Sequence, residues 1–263
     1  MEYDDKIVWI TGASSGIGEA LAHTYSTEGA QLILSARNEA RLNEVRNLCT
    51  NPEKHLVLPL DLADGNALPD KCSEVLKRFG RVDILINNSG VSQRSLVAQT
   101  GLEVDRRIME TNFFGTITLT KAVLPSMLER KAGHIVVISS VAGKLGTPLR
   151  SSYSASKHAL HGFFDSLRAE TWKQGIHVTI VCPGFIRTNI SINALTADGT
   201  PQGTMDEAQA CGMSPQDCAE KIVRAVEKNR AEVYIGGKEI LGIYLKRFVP
   251  GLFDLIIKRA KVT

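Results

Sequence analysis

At 263 residues, 43% apolar and 22% charged, the chain has ordinary globular composition, which excludes a disordered chain and allows one large α/β domain with its own core. A net charge of only +3, with both signs interspersed, leaves no electrostatic footprint for nucleic acid. Five scattered cysteines (Cys49, Cys72, Cys182, Cys211 and Cys218), never in a C-x-x-C pair, predict reduced thiols, and the six histidines have no metal-ligand spacing, so no metal is expected.

The opening stretch, Met1-Glu-Tyr-Asp-Asp-Lys6, carries neither a signal-peptide n-region nor an apolar h-region, and no apolar run approaches the ~18 residues of a membrane span. The expectation is a cytoplasmic protein, membrane-peripheral at most. A first strand is predicted over Lys6–Ile10. It feeds Thr11-Gly-Ala-Ser-Ser-Gly-Ile-Gly18, where a helix over Gly16–Glu28 opens. Gly12, Gly16 and Gly18 let the backbone turn tightly against a pyrophosphate, while Ser14, Ser15 and Ile17 bring free N–H groups at the helix start. The spacing is G-x-x-x-G-x-G rather than G-x-G-x-x-G, and a ligand-free strand-to-helix turn is the bland alternative. The same residues match a G-x-S-x-G hydrolase elbow with Ser14 as nucleophile. That rival fails on position: an elbow follows several strands, and the last histidine, His177, falls on a predicted strand.

A second strand, Gln31–Ser35, runs into Ala36-Arg37-Asn38. In dinucleotide-binding folds an acid here reads the ribose of NAD, whereas an arginine accommodates the 2′-phosphate of NADP. Ala36 stands where the acid would be. The guanidinium fork of Arg37 is therefore expected on a phosphate, with Asn38 beside it; a solvated surface arginine is the alternative. After a helix over Glu39–Leu48 and a strand over His55–Leu58, Asp61 and Leu62 are expected at the adenine edge, with Asp61 readable equally as a capping residue. A helix over Ala67–Phe79 and a strand over Val82–Ile86 lead to Asn87-Asn-Ser-Gly90. One long helix is predicted over Leu102–Arg130. Strands at His134–Ile138, His177–Val181 and Glu232–Ile235 then alternate with helices at Ser151–Lys173 and Pro215–Lys228. Most strands are continuously apolar, as strands covered on both faces are. The β-α alternation predicts a single-domain, Rossmann-type doubly wound parallel sheet.

Tyr153-Ser-Ala-Ser-Lys157 puts a phenol and an ammonium four residues apart, on one helix face. A nearby cation favours phenolate and brings a group that titrates near 10 towards useful acid–base chemistry. Ser140, just past the fifth strand, can hydrogen-bond the same substrate oxygen; Ser139 is the alternative. His158 and His161 are expected on the surface of the same helix.

Taken with Thr11–Gly18, Asp61, Asn87–Gly90, Asn112 and Pro183-Gly-Phe-Ile-Arg-Thr188, these residues resemble the short-chain dehydrogenase/reductase family in order and spacing, over residues 5–235. The resemblance implies seven strands in the order 3-2-1-4-5-6-7 and an NADP(H)-dependent oxidoreductase interconverting a carbonyl and an alcohol. By that resemblance Tyr153 gives or takes the proton, Lys157 lowers its pKa and holds the nicotinamide ribose, Ser140 orients the substrate oxygen, and Asn112 positions a relay water. Asn87 and Gly90 would line the cofactor after the fourth strand. Pro183, Gly184, Ile186 and Thr188 would meet its carboxamide and diphosphate end. Ser89 stands where the family more often has alanine. A homodimer or homotetramer is expected. The non-enzyme alternative is a catalytically silent NADP(H)-sensing protein, which an intact Ser140–Tyr153–Lys157 set argues against.

Val91–Leu96, Val141–Leu149 and the loop Asn189–Ser214 are expected to face the substrate, with polarity from Ser92, Gln93 and Arg94. Ile190, Ile192, Leu195, Met205 and Met213 suit a fatty or steroid-like molecule, or simply pack the lid. Thr196–Gly199 and Val249–Phe253 are similar to one eukaryotic branch of the family, which hints at lipid-type carbonyl substrates. The tail, residues 239–263, is apolar with basic edges and broken by Pro250-Gly251 into two short helices. Packing on the protein's own body, an oligomer contact and an interfacial membrane foot are its three readings.

Overall fold

Seven short runs of aliphatic and β-branched residues form seven strands in a computed structural model: β1 (Ile7–Thr11), β2 (Gln31–Ser35), β3 (Leu56–Val57), β4 (Ile84–Asn87), β5 (Gly133–Ile138), β6 (Ile176–Pro183) and β7 (Glu232–Ile235). Residues 3–260 are described; Met1, Glu2 and residues 261–263, Lys261 of the basic tail among them, lie outside the described residues. The strands make one sheet in the order β3-β2-β1-β4-β5-β6-β7, every pair parallel. The helices are α1 (Gly16–Thr27), α2 (Glu39–Leu48), α3 (Leu68–Phe79), α4 (Leu102–Met109), α5 (Gly115–Arg130), α6 (Ser151–Thr171), α7 (Glu207–Ala210), α8 (Pro215–Glu227), α9 (Leu241–Phe248) and α10 (Pro250–Ile257).

The strands read as unbroken apolar runs because both faces of the sheet are covered. Val8 and Ile10 of β1, Ile84 and Ile86 of β4, and Val136 and Ile138 of β5 point into one core, beneath Leu21 of α1, Leu42 of α2 and Ile222 of α8. Their neighbours Ile7, Trp9, Leu85, Ile135 and Val137 point into the other, beneath Val75 of α3, Leu119 of α5 and Phe164 of α6. The period of two along each strand makes this division. Trp9 is fully buried, and its indole N–H is satisfied by the Ser35 hydroxyl at 2.9 Å.

Two expectations change. The long helix predicted over Leu102–Arg130 is interrupted: α4 ends at Met109, one wider π turn covers Glu110–Phe114, and α5 starts at Gly115. Such turns re-aim a side chain without ending the helix. Here the residue re-aimed is Asn112, fully buried, whose amide clasps the backbone of Val91: Oδ1 accepts from Val91 N at 2.8 Å and Nδ2 donates to Val91 O at 2.9 Å. Gly115 must be glycine, because a Cβ there would lie 2.1 Å from the Leu62 carbonyl oxygen. The loop 189–214 is also more ordered than its composition suggests. It carries α7 and bridges to the body at Gln93–Leu195 and Ile186–Met213. Among the described residues no helix is long and apolar enough to cross a membrane.

Candidate active site

The strand order reverses between β1 and β4, and in open α/β sheets ligands bind where it does, outside the carboxyl ends of the strands. A cleft of about 1540 Å³ opens there. That is larger than the roughly 300–1,000 Å³ of an ordinary small-molecule pocket and leaves room for two molecules. Gly12, Ser14, Ser15, Gly16 and Ile17 line one end. Gly12 and Gly16 have φ of +67° and +61°, left-handed backbone that glycine adopts without strain. Gly18 does not line the cleft; its role is packing, since a Cβ there would sit 2.2 Å from the Gly12 carbonyl oxygen. The Ser15 side chain makes no cap, so the first amides of α1 are left for a ligand. No histidine lines the cleft, which leaves Ser14 without the base a hydrolase would need.

Ala36, Arg37, Asn38, Asp61 and Leu62 form the next stretch of wall. Arg37 is exposed and has no ion-pair partner among the described residues. Asn38 also caps α2 by accepting from Arg41 N at 3.1 Å, and Asp61 accepts from Ala63 N at 3.0 Å, so its capping role and its place on the wall hold together. The expectation for Asn87 is corrected. Its side chain points into the core, donating to the Thr120 hydroxyl at 3.0 Å, because the last residue of β4 still alternates with the strand. Its neighbour Asn88, which the sequence reading passed over, lines the cleft with Ser89 and Gly90, and its amide braces the glycine turn through Thr11 O at 3.0 Å and Gly12 O at 3.2 Å.

Beyond Gly90 stand Ser140, Tyr153 and Lys157. Ser140 faces the cleft, its Oγ accepting from Ala142 N at 3.1 Å. Ser139 also borders the cleft, but its hydroxyl is engaged 3.0 Å from buried His161 Nε2, which favours Ser140 of the two. His161, expected on the helix surface, is instead buried against Ser139 and Cys182. Lys157 is buried, and Nζ donates to the Ile138 carbonyl at 2.7 Å. Asn112 reaches this group through Ser156, at 3.0 Å, and through its hold on Val91.

The electrostatics differ from the expectation that Lys157 lowers Tyr153. Burial pushes the Tyr153 hydroxyl above its ordinary value. The groups that pull it back are the Ser140 hydroxyl and the Arg150 and Arg94 guanidiniums. Lys157 Nζ stands 5.8 Å from the Tyr153 ring centroid, held by Ile138. Burial lowers Lys157 itself to about 8, with only Cys182 opposing. A cation whose folded pKa lies below its unfolded value costs stability in full below the folded pKa, and the cost fades as pH rises from about 8 to 10.5. Lys157→Met is therefore expected to raise the unfolding midpoint of the cofactor-free chain at pH 7 while weakening both nicotinamide-cofactor binding and turnover. Melting curves at pH 7 and pH 10 check the sign: the gain should shrink at the higher pH.

Of the polar residues expected to face substrate, Ser92 and Arg94 line the cleft and Gln93 does not. Gln93 is fully buried and caps α6 from a distant loop, Oε1 accepting from Ser152 N at 2.8 Å. Arg150, at the N-cap of α6, has no capping side-chain bond, so Gln93 fixes the helix turn that carries Tyr153. Arg94 donates to Asp206 at 2.5 and 2.9 Å, and Arg150 reaches the same carboxylate at 3.3 Å. This buried pair ties the 189–214 loop to the body. Burial alone would raise the Asp206 carboxyl, but the two guanidiniums and Gln202 hold it below its ordinary value. From the loop, Ile190 and Leu195 line the cleft, whereas Ile192, Met205 and Met213 do not; Met213 packs on the first core. Pro183, Gly184, Ile186 and Thr188 arch over the glycine turn, and a Cβ on Gly16 would meet Thr188 Cγ2 at 2.9 Å. The far wall belongs to the tail: Tyr244, Leu245, Phe248, Phe253 and Ile257 face the cleft.

Comparison with known proteins agrees with this geometry. Residues 6–198 match the family model for short chain dehydrogenase. The chain is 45% identical to Dehydrogenase/reductase SDR family member 7B of Bos taurus, over 98% of this chain and 82% of that protein. It is 46% identical to Dehydrogenase/reductase SDR family protein 7-like of Drosophila melanogaster, over 97% and 80%. Among solved structures, a short-chain dehydrogenase from Streptomyces avermitilis superposes with a TM-score of 0.82 at 32% identity, covering 98% of this chain and 96% of that one. One from Burkholderia phymatum, solved in complex with NAD, shares the fold with a TM-score of 0.84 at 24% identity, covering 96% of each chain. A family model that spans most of the chain, and relatives this similar along nearly its whole length, make it a member of the short-chain dehydrogenase/reductase family of oxidoreductases.

Proposed function

We propose that this chain interconverts a carbonyl and an alcohol with NADP(H), on an apolar, lipid-like substrate. The observation that carries the reading is the convergence of Ser140, Tyr153 and Lys157 on a cleft whose other end is a glycine turn with uncapped helix amides. A dinucleotide fits that end: a Cβ on Gly18 would collide with the turn itself and one on Gly16 with Thr188, and Arg37 offers an unpaired guanidinium where an acid would repel a 2′-phosphate. When bound, NADP(H) supplies or accepts the hydride.

The chain's own residues do the rest. Ser140 and Tyr153 hydrogen-bond the substrate oxygen, and in reduction Tyr153 donates its proton there. The Arg150 and Arg94 charges favour the phenolate left behind. Lys157 would hold ribose hydroxyls, and Asn112 keeps Val91 in position beside Gly90. The apolar tail wall and the volume of the cleft support a lipid-like substrate.

Cofactor choice is tested by Arg37→Ala. Losing one charge-assisted phosphate contact costs about 1.5–3 kcal/mol, so NADPH affinity should fall roughly 10- to 150-fold while NADH affinity hardly changes. Equal catalytic efficiency of the parent chain with both nucleotides would refute the assignment. Turnover is tested by following NADPH absorbance across long-chain and cyclic ketones; tight NADPH binding with no consumption on any of them would favour a silent sensor instead.

A further inference from the structure

The two tail helices present apolar side chains on both sides. Inward, Ile243 packs on Val141 and Leu145, Tyr244 meets Tyr234 edge-on with centroids 6.1 Å apart, and Leu245, Phe253 and Ile257 wall the cleft. Glu239 hooks the base of the tail to the body by accepting from Phe185 N at 2.9 Å. Outward, the surface is bare. Seven of the fourteen large apolar side chains exposed among the described residues fall between Leu241 and Ile256, and α10 has no buried residue at all. Phe248 is 74% exposed, Leu255 61% and Leu252 47%. Single exposed apolar residues need no explanation, but a contiguous set of this kind marks a contact surface.

The charges around the patch indicate what covers it. Lys246 and Arg247 end α9, and Lys258 and Arg259 follow α10, against Asp254 alone within the two helices. Lys258 is paired with Asp254, whereas Arg247 and Arg259 are exposed and have no ion pair among the described residues. A second copy would bring the same basic rim against this one and be repelled. An anionic bilayer surface would attract it, and an apolar face rimmed by Lys and Arg is the composition that lies in a membrane interface. Each helix is eight residues, far too short to span.

We infer that the α9–α10 face docks on an anionic lipid surface, and that the cleft opens next to that surface so that an apolar substrate enters from the bilayer. Docking stands on the surface alone; delivery of substrate rests on the function proposed above. The geometry joins the two, because Leu241, Tyr244, Phe248, Val249 and Ile256 are exposed and also line the cleft mouth. Leu252 and Leu255 are exposed but do not line it, and so report on docking only.

The test is flotation of the full chain with phosphatidylserine–phosphatidylcholine vesicles and with phosphatidylcholine vesicles. The chain should float with the first at low salt, less with the second, and be released by ~1 M salt as the charges are screened. Leu252→Asp with Leu255→Asp should cut vesicle binding by at least about tenfold, given what burying two leucines is worth. The melting midpoint and NADPH affinity of this variant should match the parent. Arg247→Gln with Arg259→Gln should remove the preference for phosphatidylserine and leave the fold intact. A parent chain that stays with the soluble fraction at low salt overturns the inference, as does a Leu252→Asp, Leu255→Asp chain that floats as well as the parent. So does a drop in sedimenting mass of that variant, which would show a second copy on this face. None of these readouts requires turnover, so failure of the catalytic proposal would be seen separately.

Discussion

Replacing Tyr153 by Phe is expected to remove nearly all turnover while the fold and NADPH binding survive. The substitution deletes one hydroxyl on a half-buried ring at the cleft wall, so packing is kept. On the proposed mechanism the proton donor is lost: reduction would leave an unprotonated alkoxide, and the aliphatic hydroxyl of Ser140 is a much weaker acid than a phenol. General acid catalysis supplies about 10²–10⁴-fold, so single-turnover rates with an active ketone should fall at least ~100-fold. Retention of more than about a tenth of the parent rate would show that Tyr153 is not the donor. Because burial raises the Tyr153 pKa, the protonated donor should persist well into alkaline solution. Oxidation, which needs the phenolate, should gain rate with rising pH.

Asp206→Ala should have the largest effect on stability. The carboxylate is 1% exposed and is shared by Arg94, 4% exposed, and Arg150, 8% exposed. Removing it leaves two guanidiniums facing each other in the interior without their common counter-ion, a change that costs about 3–5 kcal/mol where such pairs have been broken. For a chain of this size the unfolding midpoint should drop by roughly 5–15 °C. Asp206→Asn, which keeps the shape and part of the hydrogen bonding, should lose less. The sign with pH follows from the lowered carboxyl: its contribution is complete at neutral pH and disappears only as pH falls through the acid range below the ordinary carboxylate value. Urea melts of both variants at pH 7 check the order. An unchanged midpoint for Asp206→Ala would mean the 189–214 loop is not anchored by this pair. Activity should fall with stability, since the same arginines adjust Tyr153.

Strand periodicity, the glycine turn and the Tyr153–Lys157 spacing are local patterns, readable because backbone geometry repeats over a few residues. They were enough for the seven strands, the doubly wound sheet and the family, with strand ends off by at most two residues. Residues whose work is done across the fold were not readable. Asn87 and Asn88 are chemically identical neighbours, and only the end of β4 decides which one faces the cleft. Ser139 and Ser140 are told apart only by their partners, buried His161 for one and the Ala142 amide for the other. Gln93 caps a helix 59 positions away, and Asp206 serves two arginines 112 and 56 positions away. Nothing in their local sequence marks those partners.

The sequence by itself determined the architecture and pointed to the candidate reacting groups, because hydrophobic period and motif spacing are written along the chain. Tertiary structure decided the electrostatics and the walls. Burial raises Tyr153 and lowers Lys157, and the Ser140 hydroxyl with the Arg150 and Arg94 guanidiniums pulls the phenol back. Desolvation and charge–charge distance are properties of the packed interior, set by which segments meet. The tail's place was also set there: its composition allowed self-packing, an oligomer contact or a membrane foot, and only the folded chain shows that it walls the cleft while much of its apolar surface stays exposed.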